Sequence, residues 1–187
     1  MSPEPGRTAE TVLGRRRAGV LLHPTSLPGA ARDGALGDVG RHFVDWLVAG
    51  GFSVWQLLPL GPVGPDRSPY FARSNHAGNP GLVDLAALEQ AGDLPHERCV
   101  AQAAAALLGS RGAAREAYDA FVAAEHGWLA DYALFTAIQA AESGRPWWGW
   151  PAALRDRESA ALAGARRALA AAIEAVQAGQ FFFHSQW

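Results

Sequence analysis

The sequence predicts an α/β chain that opens with a parallel βαβ unit and continues into a long helical run. Three observations carry this expectation. Residues 19–23 (GVLLH) form a short continuous apolar run, the pattern of a strand buried on both faces, and residues 52–58 (FSVWQLL) read as a second strand. Between them Val39, Phe43, Val44 and Leu47 recur at helical spacing, and Gly50-Gly51 follows as a helix stop. Beyond Pro95 the chain is dominated by Ala, Leu, Glu and Arg, all good helix formers apart from the glycine and proline breaks.

The strand at 19–23 is closed by Pro24, and Pro28 follows, so the segment 24–29 is neither helix nor central strand. Asp38 is placed to cap the helix that follows. In a strand, helix, strand order with short turns the two strands run parallel. His23 and the segment after Leu58 therefore leave from the same, C-terminal, edge, where α/β proteins bind ligands. That second segment, PLGPVGPDRSPYFARSNHAGNP at 59–80, is too long for a simple connection in a compact domain. It carries Arg67, Ser68, Tyr70, Arg73, Asn75, His76 and Asn79, which marks it as a working loop.

Residues 83–88 read as a brief strand or a turn into a helix. Helices are expected at 97–108, at 113–139 with an interruption near Gly127, and at 152–177. Gly144-Arg145-Pro146 and Gly149-Trp150-Pro151 punctuate them. The chain closes on FFFHSQW at 181–187. As the end of a domain this run would expose an apolar patch, so it reads as an element cut short and the chain as a fragment.

Composition bounds the function. With 187 residues, 49% hydrophobic and 18% charged, the chain is globular and large enough for one domain. A net charge of −2 offers no attraction to nucleic acid or an anionic membrane surface. All 16 basic residues are Arg, which reflects coding bias more than function. The single Cys99 cannot form an internal disulfide, and a reducing compartment is the default. Arg15, Arg16 and Arg17 precede an apolar run too short for an export signal, and no stretch has the roughly 18 apolar residues of a membrane span, so a cytoplasmic protein is expected. No Cys, His or carboxylate spacing points to a metal.

Several rare words in order resemble the amylomaltases, the 4-α-glucanotransferases of glycoside hydrolase family 77. They are GVLLHPTSLPG at 19–29, GDVG at 37–40, WQLLPLGPVG at 55–64, SPY at 68–70 and AGNP at 77–80. WLADYALFTA at 128–137, PWWGWPAALRDR at 146–157 and the closing aromatic run continue the likeness. The resemblance implies the start of a (β/α)8 barrel: a tail at 1–17, a first βαβ unit with its active-site loop at 18–83, a helical insertion at 84–180, and the start of the next barrel element at 181–187. It also implies transfer of α-1,4-glucan segments between maltooligosaccharides with retention, through a carboxylate nucleophile and a carboxylic acid/base, without a cofactor. None of the carboxylates here, Asp33, Asp38, Asp45, Asp66 and Asp84 among them, matches those two groups. The 187 residues alone are therefore expected to be inactive. A non-catalytic α-glucan-binding module and a related α-glucan hydrolase are the alternatives.

The resemblance carries over Tyr70 as a sugar contact, with Ser68 and Pro69 fixing its position. A tyrosine face covers the apolar face of a sugar ring while its hydroxyl finds a polar partner. His23 and His76 are further substrate-binding candidates. A local bond from His23 to the 25–26 turn, and loop bracing by Asn75, His76 and Asn79, are the competing structural readings. The sequence departs from the family in Phe71, in Pro65 where a secondary-site tyrosine is common, and in a short 93–117 segment that puts the first insertion helix in question. Trp147, Trp148 and Trp150 are read as packing residues that plug the insertion onto the barrel, and Trp55 as core.

Overall fold

The computed structural model describes residues 14, 16–29, 35–64, 66–88 and 95–187. Most of the expected tail, Asp33 and Pro65 lie outside them. Strand β1 (Gly19–Leu21) pairs in parallel with β2 (Val54–Gln56), in the register Gly19 to Val54, Val20 to Trp55 and Leu21 to Gln56. Helix α1 (Asp38–Ala49) connects them. Asp38 is the first helical residue and not the cap; Gly37 holds the cap position, and a Cβ there would lie 1.6 Å from the Asp84 carboxylate. Asp38 instead pairs with Arg41 one turn on, at 2.7 Å. The stop at Gly50-Gly51 is as expected, with Gly51 at φ +75°.

The strands are not buried on both faces. Phe43 of α1 packs edge-on against Trp55 at 4.8 Å, which covers the face shared by Val20 and Trp55. The opposite face stays exposed at Leu21 and Gln56, and α1 exposes Val44, Trp46 and Val48 as well. A continuous apolar run reports burial on two faces only when a second layer is present, and the described residues supply one layer.

Six helices follow, and they make the described chain mostly helical with a small parallel sheet: α2 (His96–Gly109), α3 (Ala113–Ala124), α4 (His126–Ala141), the single turn α5 (Ala152–Arg155), α6 (Ser159–Ala168) and α7 (Ala170–Gln186). The first insertion helix, in question from the sequence, is present as α2. The expected interruption near Gly127 falls at Glu125, whose φ −94° and ψ 7° lie between helical segments. The long helix expected at 152–177 is three helices, broken by Arg157 at φ +60° and by Leu169. Residues 80–82 form a 3₁₀ turn, and so do 86–88, within the stretch where a brief strand or a turn into a helix was expected.

The end of the chain departs from the exposed patch expected of it: residues 181–186 are the last turns of α7. Phe182 and Phe183 are buried in the main core with Leu36, Leu82, Val83, Ala104, Leu107 and Tyr118. The 3.6-residue period continues through Ile173, Val176, Gln180 and Phe183, but the run of three phenylalanines masks it. A second cluster of Leu134, Ile138, Trp150 and Leu162 joins α4 to α6.

Two glutamines of α7 weld the long loop to the helices. Gln180, with no exposed surface, accepts from the Gly78 amide at 2.8 Å and donates to its carbonyl at 2.9 Å. Gln186 does the same for Asp84, at 2.7 and 3.1 Å. Gly78 must be glycine, because a Cβ would sit 2.0 Å from the Phe183 ring. Gln180→Ala strands two buried backbone groups, and the expected loss is about 3 kcal/mol. Thermal unfolding followed by circular dichroism should show a drop of about 6–12 °C. An unchanged melting temperature would sink this assignment. The 187-residue chain alone is expected to self-associate through Leu21, Val44, Trp46 and Val48. Light scattering that reports a monomer with a cooperative melt would count against that.

Candidate functional site

His23 stands at the end of β1, where the backbone has just left the ladder (the Leu22 amide still donates to the Gln56 carbonyl at 3.2 Å). Its Nδ1 lies 2.7 Å from the Thr25 hydroxyl and accepts from the Thr25 amide at 3.4 Å, so it caps the 3₁₀ turn Pro24–Ser26. The local reading of this residue is thus realised. The Pro59 backbone lies near enough to favour the protonated ring, so the imidazole stands between the two loops that leave the sheet at its C-terminal edge. Burial holds its pKa below the usual value, partly opposed by the Pro59 backbone. Trp55 reinforces the junction, donating from its indole nitrogen to the Leu22 carbonyl at 2.8 Å.

Beyond Pro59 the loop is braced internally. Gly61 passes so close to Ala72 and Ser74 that a Cβ would meet them at 2.8 and 2.9 Å. Ser68 caps the turn Pro69–Phe71, its hydroxyl accepting from the Tyr70 amide at 3.4 Å, and Pro69 pre-sets the first turn residue. The expectation that Ser68 and Pro69 position Tyr70 corresponds to this geometry. Tyr70 itself is 71% exposed, with Phe71 beside it at 74%. Such a pair of uncovered rings on a braced turn is a ready platform for the apolar face of a ligand. Asn79 caps the turn Pro80–Leu82, accepting from the Gly81 amide at 2.9 Å, which is the bracing role expected of it. Arg73 reaches across to Gln139 of α4 at 3.0 Å and ties the loop tip to the helices.

His76 is drawn into a different place from Tyr70. Its ring stacks on Trp128 of α4 at 5.9 Å, and it lines a cleft of about 320 Å³ with Pro59, Ser74, Phe183, His184 and Trp187. Tyr70, Ser68, Pro69 and His23 do not line this cleft. The five candidate residues therefore divide into an exposed platform, a strand-end cap and a cleft histidine.

Sequence reasoning missed the cleft's other wall, because 181–187 was read as an unfinished element. His184 and Trp187 stand three residues apart, one helical turn, and that spacing was the available signal. His184 sits among Phe121 at 5.4 Å, Trp128 at 5.7 Å and Phe183 at 5.4 Å, and its Nε2 is buried without a hydrogen-bond partner. Burial lowers its pKa below the usual 6.5, while the Glu125 carboxylate pulls the other way. The Trp128 indole donates to that same carboxylate. Among the described residues no group of His, Cys, Asp and Glu could hold a metal ion, and no helix is long and apolar enough to cross a membrane.

The lowered pKa of His184 makes stability depend on pH with a definite sign. The folded state resists a proton that the unfolded state accepts, so this contribution is complete above pH 6.5 and is lost as pH falls below it. The loss levels off beneath the folded-state pKa, and His23 acts in the same direction. Melting temperature is expected to decline as pH falls below 6.5, and His184→Phe should flatten part of that decline. An identical slope in the variant would refute the assignment.

The 4-alpha-glucanotransferase model of glycoside hydrolase family 77 matches residues 22–187. The chain is 41% identical to a 4-alpha-glucanotransferase of Thermus thermophilus, over 92% of this chain and 38% of that protein. It is 39% identical to the chloroplastic/amyloplastic 4-alpha-glucanotransferase DPE1 of Oryza sativa subsp. japonica, over 92% of this chain and 34% of that one. In structure it resembles the amylomaltase from Streptococcus agalactiae in complex with acarbose, with a TM-score of 0.82, 32% identity, and coverage of 92% of this chain and 40% of that one. The chain thus spans under half the length of these relatives. With α1, β2, the braced SPY turn and the helices that follow all falling inside the matched region, the chain belongs to the 4-alpha-glucanotransferase family.

Proposed function

We propose that this chain is the N-terminal, glucan-binding part of a 4-α-glucanotransferase that moves α-1,4-glucan segments between maltooligosaccharides. The observation that carries the reading is the family match across 22–187, with its SPY word on an exposed turn at the ligand edge of a parallel strand pair. Residues 18–83 then form the first βαβ unit of a (β/α)8 barrel and 84–180 its helical insertion, and the protein acts in the cytoplasm. The structural relative's complex with acarbose supports an oligosaccharide as the ligand, and the exposed Tyr70 turn is where this reading puts it.

The chemistry is a double displacement with retention. A carboxylate attacks the anomeric carbon as a carboxylic acid protonates the leaving oxygen; the acceptor hydroxyl then displaces the carboxylate, returning its proton to the same acid/base. Both carboxylates lie outside these 187 residues. This chain's part is to bind and orient: Tyr70 and Phe71 offer stacking faces, Ser68 and Pro69 hold the turn, and His23 stands between the two loops.

In the full-length protein, Tyr70→Ala is expected to raise the KM for maltotriose disproportionation about tenfold, one lost stacking interaction. The melting temperature should not move, since the ring is exposed. Unaltered kinetics would remove Tyr70 from the site. The 187-residue chain alone is expected to give no glucose release from maltotriose; measurable turnover would show that the carboxylates lie within it. Saturable maltoheptaose binding by that chain, lost on Tyr70→Ala, would instead favour a binding module.

A further inference from the structure

The tryptophans at 147–150 do not behave as one packing plug. Trp150 is buried against Phe135 at 5.1 Å and donates its indole N–H to the Arg145 carbonyl at 3.0 Å. Trp147 is 50% exposed and Trp148 66%, crossed edge-to-face at 5.9 Å. A 3₁₀ turn (Trp147–Gly149) between Pro146 and Pro151 fixes their backbone, so the rings are presented without much loss of freedom on contact.

Trp147 forms one wall of a cleft of about 310 Å³ between α4, α5 and α6. Leu134, Ile138, Trp150 and Leu162, buried together, make its floor. This is the lower end of the size range of small-molecule sites, which are mostly apolar with a few placed polar groups. The polar groups here are at the rim. Arg157 donates to Asp131 at 2.8 Å within the rim, and Arg155 donates at 2.7 and 2.9 Å to Asp156, which stands just outside the lining. Each guanidinium is matched by a carboxylate, so the rim offers donors and acceptors side by side without net charge. Such a rim does not favour an anion or a cation. It suits a neutral ligand with adjacent hydroxyls, one accepting from the guanidinium and the next donating to the carboxylate, while the ring face lies on an indole.

We infer that this cleft is a second α-glucan site, with Trp147 as the stacking face and the Arg157–Asp131 pair as the hydroxyl-binding rim. It lies on a different face of α4 from the Tyr70 loop. Trp128, Tyr132 and Gln139 project within about 40° of one another on the helix, toward the loop, whereas Asp131, Leu134 and Ile138 line the cleft about a quarter-turn away, with Phe135 between the two sets. A glucan held at the loop and one held at Trp147 would flank the same helix. The inference rests on the α-glucan reading proposed above.

The test is ¹⁹F NMR of the full-length protein carrying 5-fluorotryptophan, titrated with maltoheptaose, with the Trp147 line assigned from Trp147→Phe. Calorimetry on the same samples reports total binding. The Trp147 line is expected to shift saturably, the buried Trp150 line less. Trp147→Ala should weaken one component of binding about tenfold in calorimetry, and Trp147→Phe should restore most of it. A Trp147 line that stays still while calorimetry shows saturation overturns the second site and leaves the glucan reading intact. No calorimetric binding at all overturns both. A line that moves with cyclohexanol but not with maltoheptaose makes the cleft a site for apolar compounds and overturns the assignment.

Discussion

The arrangement depends on the two glutamine clamps of α7. Gln180 closes on both backbone groups of Gly78, and Gln186 closes on both of Asp84, each pair separated by 102 positions. Six residues of helix rise about 9 Å, and the loop covers the same interval with a 3₁₀ turn at Pro80–Leu82, so the two segments keep step. Each side-chain amide imitates a peptide group and satisfies the loop as a neighbouring strand would. A segment with too many prolines and glycines to enter a sheet thereby acquires a partner. The Leu82 carbonyl then accepts from the Ala35 and Leu36 amides at 2.9 and 3.1 Å, which draws the start of α1 onto the same frame.

Everything proposed about ligand binding hangs from that frame. The loop leaves β2 at Pro59 beside His23, turns out at Ser68 to present Tyr70 and Phe71, and is brought back at Gly78 under the Phe183 ring. Because the return point is buried and doubly hydrogen-bonded, the exposed tip can carry uncovered aromatic rings without slackening the fold. Gly78 and Gln180 are therefore positioning residues. They fix where the loop returns, and the orientation of the exposed turn follows from them.

The helical part adds a second layer of organisation. Helix α4 lies at its centre, with the loop and His76 on one face, α7 along another, and the Trp147 cleft on a third. Its buried Ala133 and Ala137 permit close approach to neighbouring helices, while Trp128 and Phe135, two turns apart, meet the His184 and Trp150 rings. Small residues at the contact and large ones at the flanks are what ridge-into-groove packing requires.

The sequence by itself determined the order of strand, helix, strand and helices, the Gly50-Gly51 stop, and the turn character of 24–29 and 68–71. These are local: proline fixes φ, glycine permits left-handed turns, and apolar period selects helix or strand within a dozen residues. The family was legible for a related reason, since its words are turns and strand ends whose residue types cannot vary freely. Tertiary structure alone decided that the strands are covered on one face, that 181–186 is a helix whose aromatics close the core, that His76 sits in a cleft apart from Tyr70, and that Trp147 and Trp148 are exposed while Trp150 is not. A three-phenylalanine run has no period to read, and the fate of each ring is set by partners up to a hundred residues away. Burial is a property of what lies opposite, and no window of sequence contains it.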